Sequence, residues 1–306
     1  MIFQQTIKNP VFIRGVGLHS GKDTLMKIRP ARANHGIVFT RTDLPGFPKI
    51  PASHKNIINT QLATTLGSGK AVVSTVEHLL AAFYGLGIDN VLIEVDGPEV
   101  PILDGSSAPY VEELQRAGLV TQPQLRPILA LRKKVEVKVG EKWGFAEPSS
   151  RLEVHGSIEW DHPAIGYQEY HYIEGKTSFN ELASARTFCL LKDVEMMQSR
   201  GLIKGGSLEN AVVLDHYSVL NPSGLRFPNE LVRHKVLDAL GDFKLSGISF
   251  QGYFRLHRAG HDLHSQLLNA IFSNPDHFEI IGVQEDEAAP VGVTAGFAGQ
   301  LVASVG

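Results

Sequence analysis

Short runs in which apolar and polar residues alternate occupy the first part of the chain, and glycine or proline separates them. Alternation over residues 24–28 and 36–40 predicts strands, because successive side chains of a strand point to opposite faces. The apolar run 91–95 within DNVLIEVDG predicts a third strand. This half of the chain is therefore expected to begin as a β-rich region.

Helical spacing of apolar residues appears at two places in the same half. STVEHLLAAFYGL predicts a helix from Ser74 to about Leu86, with Ser74 placed to cap it. SAPYVEELQRA predicts a second helix from about Ser107 to Ala117, and a glycine ends it. Residues 121–127 carry two prolines and no periodicity, so we place a linker there.

The pattern restarts after the linker. Alternation over residues 133–139 and 151–158 predicts strands, and helical spacing predicts helices over about 229–240 and 263–272. Both halves thus have strands first and two helices near the end. This common order predicts an α+β fold of two similar domains, each a sheet packed on helices, with the active site at their interface.

A histidine and a glycine recur with equal spacing in the first helix of each half. The pairs are His78 with Gly85 and His234 with Gly241. The repeat is weak by itself, because helices commonly end in glycine, but it suggests a duplicated unit in which each half presents a histidine helix. The expected bounds are 1–122 for the first domain, 128–285 for the second and 286–306 for a C-terminal tail.

The amino-acid composition argues against several classes of function for this chain. The formal net charge of −3 gives no reason to expect nucleic acid as a partner. The single cysteine, Cys189, excludes an internal disulfide framework and fits a reducing compartment. No signal peptide and no apolar run of bilayer length is recognisable, so we expect a cytoplasmic protein without stable membrane insertion. Histidine is frequent, at 13 residues, which directs attention to metal and acid–base chemistry.

The segment VRHKVLDAL places an imidazole and a carboxylate on one helix face. His234 and Asp238 are four residues apart, so both side chains can reach one ion. In an arbitrary protein such a pair is more often part of a solvated surface. His78 would complete a set of two histidines and one carboxylate, which suits a catalytic zinc and equally non-haem iron. Only a fold that brings the two helices together would assemble this set.

Glu77 precedes His78 and has two interpretations. With Ser74 it fits a capping box, in which its carboxylate only closes the start of the helix. A carboxylate next to a metal-binding histidine is also what a metal hydrolase uses as a general base. The arrangement is not HExxH, because neither residue 81 nor residue 82 is histidine, so the remaining ligands must come from elsewhere in the chain.

Histidines also stand close together at positions 257, 261 and 264. They could be metal ligands, or they could belong to a polar loop before the last helix, which is the commoner case. Gly260 predicts a tight turn that exposes the His261 imidazole. Near a metal-bound water, His261 would act as a general acid or oxyanion stabiliser if a carboxylate such as Asp242 kept it protonated.

A set of motifs resembles the UDP-3-O-acyl-N-acetylglucosamine deacetylases of Gram-negative bacteria. In the first half they are GVGLHSG at 15–21, STVEHLLAA at 74–82, GIDN at 87–90 and PEVPILDGS at 98–106. In the second half they are ARTF at 185–188, GGS at 205–207, LRF at 225–227, VRHKVLDALGD at 232–242 and AGH at 259–261. Each motif alone is weak, but the set follows the family's order over about residues 1–275 and is specific.

The resemblance implies zinc-dependent hydrolysis of the acetamide of UDP-3-O-[(3R)-3-hydroxyacyl]-N-acetylglucosamine. The products would be acetate and UDP-3-O-acyl-glucosamine, in the committed step of lipid A biosynthesis. The resemblance also implies that His78, His234 and Asp238 hold the zinc ion and that Glu77 is the general base.

Further roles follow from the same resemblance. His261 matches the family's catalytic histidine, with Asp242 as its charge partner. Thr187 and Lys235 match positions that contact the developing oxyanion or the substrate. A hydrophobic passage for the acyl chain is implied at Phe188, Leu190, Val194, Gly206, Ser207 and Val213.

Two other interpretations remain open from the residues alone. The ligand set suits a non-haem iron enzyme as well as a zinc hydrolase. A non-catalytic sugar-nucleotide binding protein could keep the same fold, although Glu77 and His261 would then have no purpose. The expected partner is the small-molecule substrate, an acylated UDP-N-acetylglucosamine, and we expect a monomer.

Overall fold

The computed structural model describes residues 2–282, so the tail predicted at 286–306 lies outside the described residues. The first half is rich in short strands, as its alternating pattern predicts. Its elements in chain order are β1 (Phe3–Ile7), β2 (Val11–Val16), β3 (Asp23–Pro30), β4 (Ile37–Arg41), β5 (Lys49–Pro51), a 3-10 turn (His54–Asn56), β6 (Ile57–Asn59), β7 (Thr65–Ser68), β8 (Ala71–Val73), α1 (Glu77–Leu86), β9 (Val91–Val95), α2 (Ala108–Ala117) and β10 (Leu119–Leu125).

The second half begins with strands and carries the longer helices. Its elements are β11 (Ile128–Leu131), β12 (Val135–Val139), β13 (Lys142–Glu147), β14 (Leu152–Trp160), β15 (Gly166–Ile173), α3 (Phe179–Ala183), β16 (Phe188–Leu190), α4 (Leu191–Ser199), β17 (Val212–Leu214), α5 (Glu230–Lys244), β18 (Ser249–His257), α6 (His261–Phe272), a 3-10 turn (Pro275–His277) and β19 (Phe278–Ile281). Within residues 2–282, no helix combines the length and the apolar character that crossing a membrane requires.

A mixed sheet organises the first half, with its strands in the order β2-β3-β9-β4-β5. Neighbouring strands are antiparallel except β4 and β9, which are parallel. Along β3, Met26 and Ile28 are buried whereas Leu25 is exposed, which is the alternation that predicted this strand. The buried face forms a core with apolar residues of α1 and α2.

The sheet of the second half has the same pairing order. Strands β12-β13-β18-β14-β15 are antiparallel, antiparallel, parallel and antiparallel in turn, as are β2-β3-β9-β4-β5. Strands β11 and β19 extend this sheet. In each half one helix comes directly before the central strand, β9 or β18, and another is the next helix after it. The predicted α+β class is confirmed, whereas the duplication and the domain bounds stay predictions.

The irregular conformation predicted for residues 121–127 is wrong for most of that stretch. Residues 119–125 form β10, which pairs antiparallel with β1 at the start of the chain. Proline weighs against a strand in the sequence pattern, because it cannot donate a ladder hydrogen bond. Pro123 lies in the irregular stretch between the paired residues Thr121 and Leu125, where the ladder does not require that bond. The pair of strands ties the two ends of the first half together.

Helix α1 is shared between the two cores. Leu80 packs in the core of the first half, whereas Tyr84 packs in the core of the second. Helix α5 crosses α1 so closely that a Cβ atom on Gly241 would overlap the carbonyl group of Glu77. A helix covered on all sides needs apolar residues around its whole circumference, and LLAAF supplies them.

The start of α1 differs from the prediction. Ser74 does not cap the helix; its backbone instead bridges to the segment 98–100. Thr75 adopts a left-handed φ of 59°, and its hydroxyl donates a hydrogen bond to Glu99. The helix therefore begins only at Glu77. The capping-box interpretation is wrong, and the Glu77 carboxylate is available for another role.

Candidate metal centre and active site

Three buried side chains converge where α1 crosses α5. His78 Nε2 lies 3.6 Å from Asp238 Oδ1, and His234 Nε2 lies 3.2 Å from the same oxygen. The side chains are 4%, 1% and 2% exposed for His78, His234 and Asp238. The helix crossing thus brings together the three residues that the sequence pattern and the resemblance single out as ligands.

The chemistry of this group fits a cation. Asp238 Oδ1, the oxygen that faces both imidazoles, has no hydrogen-bond partner among the described residues. A buried polar atom without a partner costs about 1–3 kcal/mol, so such an arrangement calls for a ligand. Burial lowers the pKa of both imidazoles, that of His78 to about 3, so each presents a neutral nitrogen. Two neutral imidazoles and a carboxylate directed at one point are a typical set for a divalent metal.

Neighbouring groups hold two of these side chains in orientation. His234 Nδ1 donates to the carbonyl oxygen of Ala185 at 3.0 Å, which leaves Nε2 free to face the site. The segment around Ala185 is anchored by a buried ion pair, in which Arg186 Nε lies 2.8 Å from Glu230 at the start of α5. Asp238 Oδ2 accepts from Lys235 Nζ at 2.9 Å.

A second buried cluster adjoins the first through Glu77. Glu77 Oε2 accepts from the backbone N–H of Thr64 at 3.1 Å, and Oε1 lies 3.8 Å from His261 Nε2. His261 in turn donates from Nδ1 to Asp242 Oδ2 at 2.8 Å. The chain therefore places a carboxylate next to the candidate ligand His78, and an imidazole paired with its own carboxylate lies behind Glu77.

Burial and charge together set the ionisation of this cluster. Burial raises the pKa of Glu77 to about 8, although His261 opposes the shift. Burial alone would lower the pKa of His261, but the Asp242 carboxylate, followed by Glu77, raises it to about 9. Burial alone would raise the pKa of Asp242, but the charge and hydrogen bond of His261 outweigh burial and lower this pKa to about 2. His261 and Asp242 therefore form an ion pair near neutral pH.

Asp242, His261 and His264 could also reach one ion. Here, however, both imidazoles place Nδ1 at 2.8 Å from Asp242 Oδ2, which is the distance of an N–H···O hydrogen bond. The facing atoms of this cluster thus bond to one another, whereas His264 Nε2, the other nitrogen of that ring, has no partner among the described residues. The candidate metal centre is the group of His78, His234 and Asp238, whose facing atoms have no such bonds.

Comparison with known proteins identifies the family of the chain. A family model described as UDP-3-O-acyl N-acetylglycosamine deacetylase matches residues 4–273. The chain belongs to this deacetylase family.

Individual members of the deacetylase family match over nearly the whole chain. A UDP-3-O-acyl-N-acetylglucosamine deacetylase of Syntrophus aciditrophicus (strain SB) is 45% identical over 279 residues, 91% of this chain and 89% of that protein. One of Myxococcus xanthus (strain DK1622) is 44% identical over 300 residues, 97% and 96% of the two chains. One of Haemophilus influenzae (strain PittEE) is 42% identical over 299 residues, 96% and 98% of the two chains.

Two predicted substrate contacts of this family member, Phe188 and Lys235, lie beside the candidate metal centre. The Phe188 ring meets that of His234 edge-on, with centroids 6.4 Å apart, and Lys235 Nζ lies 5.4 Å above the Phe188 ring. Thr187 is half-buried; its backbone N–H donates to Gly105 and its carbonyl oxygen accepts from Val212. Phe188 and Lys235 therefore adjoin the candidate ligands His234 and Asp238, and Thr187 precedes Phe188 in the chain.

The predicted passage residues are spread over two faces. Strands β16 and β17 are parallel, and Phe188 and Leu190 share the face of Val212 and Leu214 in an apolar cluster. Val213 points to the opposite face, opposite Cys189 in the register. The other predicted positions are Val194, half-buried in α4, and Gly206 and Ser207, both exposed after it.

Sequence reasoning missed two polar residues at the centre of the site. Thr64 contacts both Glu77 and Asp242, but a lone threonine before a strand carries no recognisable signal. His264 was left undecided among three neighbouring histidines, and its spacing of one helical turn from His261 was the available signal. The third, His257, ends β18 and bonds Ser157 at 2.9 Å, outside the site.

Proposed function

We propose that the chain hydrolyses the acetamide of UDP-3-O-[(3R)-3-hydroxyacyl]-N-acetylglucosamine, giving acetate and UDP-3-O-acyl-glucosamine in lipid A biosynthesis. The observation that carries the proposal is the convergence of His78, His234 and Asp238 beside Glu77 and His261. The names of its relatives supply the substrate. We propose the cytoplasm as the location, because a single cysteine fits a reducing compartment.

The proposed metal is zinc, held by His78, His234 and Asp238. When bound there, zinc would supply Lewis-acid chemistry, making water more acidic and polarising an amide carbonyl. Non-haem iron uses similar ligands, so metal analysis has to accompany the activity assay.

Glu77 is the proposed general base. Its carboxylate must be ionised to accept the proton of the attacking water, and burial alone opposes this. A divalent cation at the adjacent His78 would lower the pKa of Glu77 by Coulombic attraction, as would His261 from the other side. The backbone N–H of Thr64 holds one carboxylate oxygen, which leaves the other directed at His261.

His261 is the proposed general acid. As the C–N bond of the amide breaks, the departing sugar amine needs a proton, and the protonated His261 can donate it from Nε2 while Asp242 retains Nδ1. Thr187 would donate a hydrogen bond to the developing oxyanion, and Lys235 would contact the substrate. The acyl chain would lie along the apolar side chains near β16, β17 and α4, at about 0.8 kcal/mol per buried methylene.

The test measures acetate release from the acylated UDP-N-acetylglucosamine together with bound metal. Glu77→Gln should keep the metal and lose about 10²- to 10⁴-fold in kcat, because only the base is removed. His78→Ala should lose the metal itself. His216, exposed and outside the site, provides the control variant His216→Ala, which should match wild type in both measurements.

Some outcomes would contradict the proposal. If His78→Ala kept stoichiometric metal, His78 would not be a required ligand. If the wild-type protein carrying zinc released no acetate, the proposed hydrolysis would be wrong. Oxygen-dependent turnover with iron would favour the alternative enzyme class.

A further inference from the structure

The Asp242 carboxylate accepts hydrogen bonds from three side chains. Thr64 Oγ1 donates to Oδ1 at 2.6 Å, while His261 Nδ1 and His264 Nδ1 each donate to Oδ2 at 2.8 Å. Asp242, Thr64 and His264 are 2%, 1% and 0% exposed. Water therefore cannot replace a missing donor without a rearrangement of the core.

These bonds restrict the carboxylate to one orientation. The bond from Thr64 fixes Oδ1 and turns Oδ2 towards α6. His264, one helical turn after His261 on the same helix, donates its hydrogen bond to the same oxygen, Oδ2. His261 is tied through Nδ1, so its Nε2 is directed towards Glu77.

We infer that Thr64 and His264 are positioning residues, which hold the Asp242 carboxylate and thereby fix the His261 imidazole beside Glu77. This inference rests on the proposed function for its catalytic consequence. Thr64 has a double part, because its backbone N–H holds Glu77 while its hydroxyl holds Asp242. Removal of the Thr64 hydroxyl should therefore allow Asp242 and His261 to shift, while the backbone hydrogen bond from Thr64 to Glu77 stays in place.

Two pairs of variants separate positioning from packing. Thr64→Val removes the hydroxyl at nearly constant volume, and Thr64→Ser retains it. His264→Leu removes the donor, and His264→Asn keeps an N–H close to the place of Nδ1. Thr65→Val is the control, because the Thr65 hydroxyl pairs with Ser74 and not with Asp242.

Activity gives the first measurement, on full-length protein loaded with zinc. Thr64→Val and His264→Leu should lower kcat about 10- to 100-fold with little change in KM, because a displaced acid affects the chemical step. Thr64→Ser and His264→Asn should recover most of that loss. Equal losses in His264→Leu and His264→Asn would overturn the inference, because packing alone would then explain them.

Proton NMR of the His261 Nδ1–H, which is hydrogen-bonded to Asp242, gives the second measurement and needs no substrate. The signal, assigned by its loss in His261→Gln, should broaden or disappear in Thr64→Val and His264→Leu and persist in the other three variants. An unchanged signal and kcat in both disruptive variants would also overturn the inference. Since this signal is independent of turnover, a wild-type protein that releases no acetate would contradict the proposed function while leaving the positioning measurable.

Discussion

The buried ion pair of His261 and Asp242 makes folding dependent on pH. The pKa of His261 rises from 6.5 to about 9 on folding, so the folded state binds its proton more tightly than the unfolded state. The stabilisation is fully present below pH 6.5 and is lost as the pH rises through about 9. The lowered pKa of Asp242 describes the same contact from the other side and is not an additional contribution.

We therefore expect the free energy of unfolding of wild type, relative to His261→Gln, to fall between pH 6 and pH 9.5 by on the order of 3 kcal/mol. Glu77 also titrates in this range, and taking the difference from the variant removes most of its contribution. Urea unfolding at several pH values, with the metal content held constant, measures the difference. A difference that does not change with pH would mean that His261 is neutral in the folded protein.

The candidate ligand residues could be proposed from sequence because helical spacing and chemistry both restrict them. His234 and Asp238 share a helix face whatever the surroundings. The chemistry of His78 made it a candidate third ligand, but only the family resemblance assigned it to the same ion. Thr64 was beyond reach, because its two partners lie 13 and 178 positions away along the chain. Contacts that only the tertiary fold creates leave no local pattern.

The crossing of α1 and α5 depends on Gly241, whose missing side chain allows the helices to touch. Alanine normally stabilises a helix interior by up to about 1 kcal/mol relative to glycine. At Gly241 the added methyl would meet the rigid carbonyl group of Glu77, so Gly241→Ala should instead destabilise the protein by about 3 kcal/mol. It should also weaken metal binding, because His78 follows Glu77.

Gly85→Ala is the matched comparison, since this glycine is also helical and follows its histidine at the same distance. Its methyl would meet the ring of Phe179, a side chain that can move, so the loss should be about 1 kcal/mol or less. Thermal or urea unfolding of the two variants measures the loss of stability at each position. Similar effects at both positions would show that the helix crossing tolerates a methyl group.

Elements with a strong local pattern were predicted well, and those defined by distant partners were not. Helix α2 ends at Ala117 as predicted, and α5 continues past the predicted Leu240 to Lys244. Strand β10 was taken for a linker because its partner β1 lies at the other end of the first half. Helix α3 and the small β16-β17 pair were missed, because elements this short have too few residues for periodicity.

The proposed metal would join the two halves of the molecule, since His78 comes from the first half and His234 and Asp238 from the second. Any ion bound only by the folded state stabilises it by mass action, about 4 kcal/mol when free metal exceeds Kd by 1,000-fold. Removal of the metal with a chelator should therefore lower Tm, and added zinc should restore it. In His78→Ala the chelator should have little effect on Tm, and an equal effect in both proteins would place the stabilising ion elsewhere.

Because the ligands are divided in this way, the order of synthesis matters. At about 5–20 residues per second, a ribosome that has added His78 needs about 8–30 s more to reach residue 234. During that interval the nascent chain presents one imidazole of the proposed metal site, and His261, the proposed acid, has not yet been added. A chain released early from translation would thus hold no firmly bound ion, and hydrolysis would begin only after the last long helix is complete.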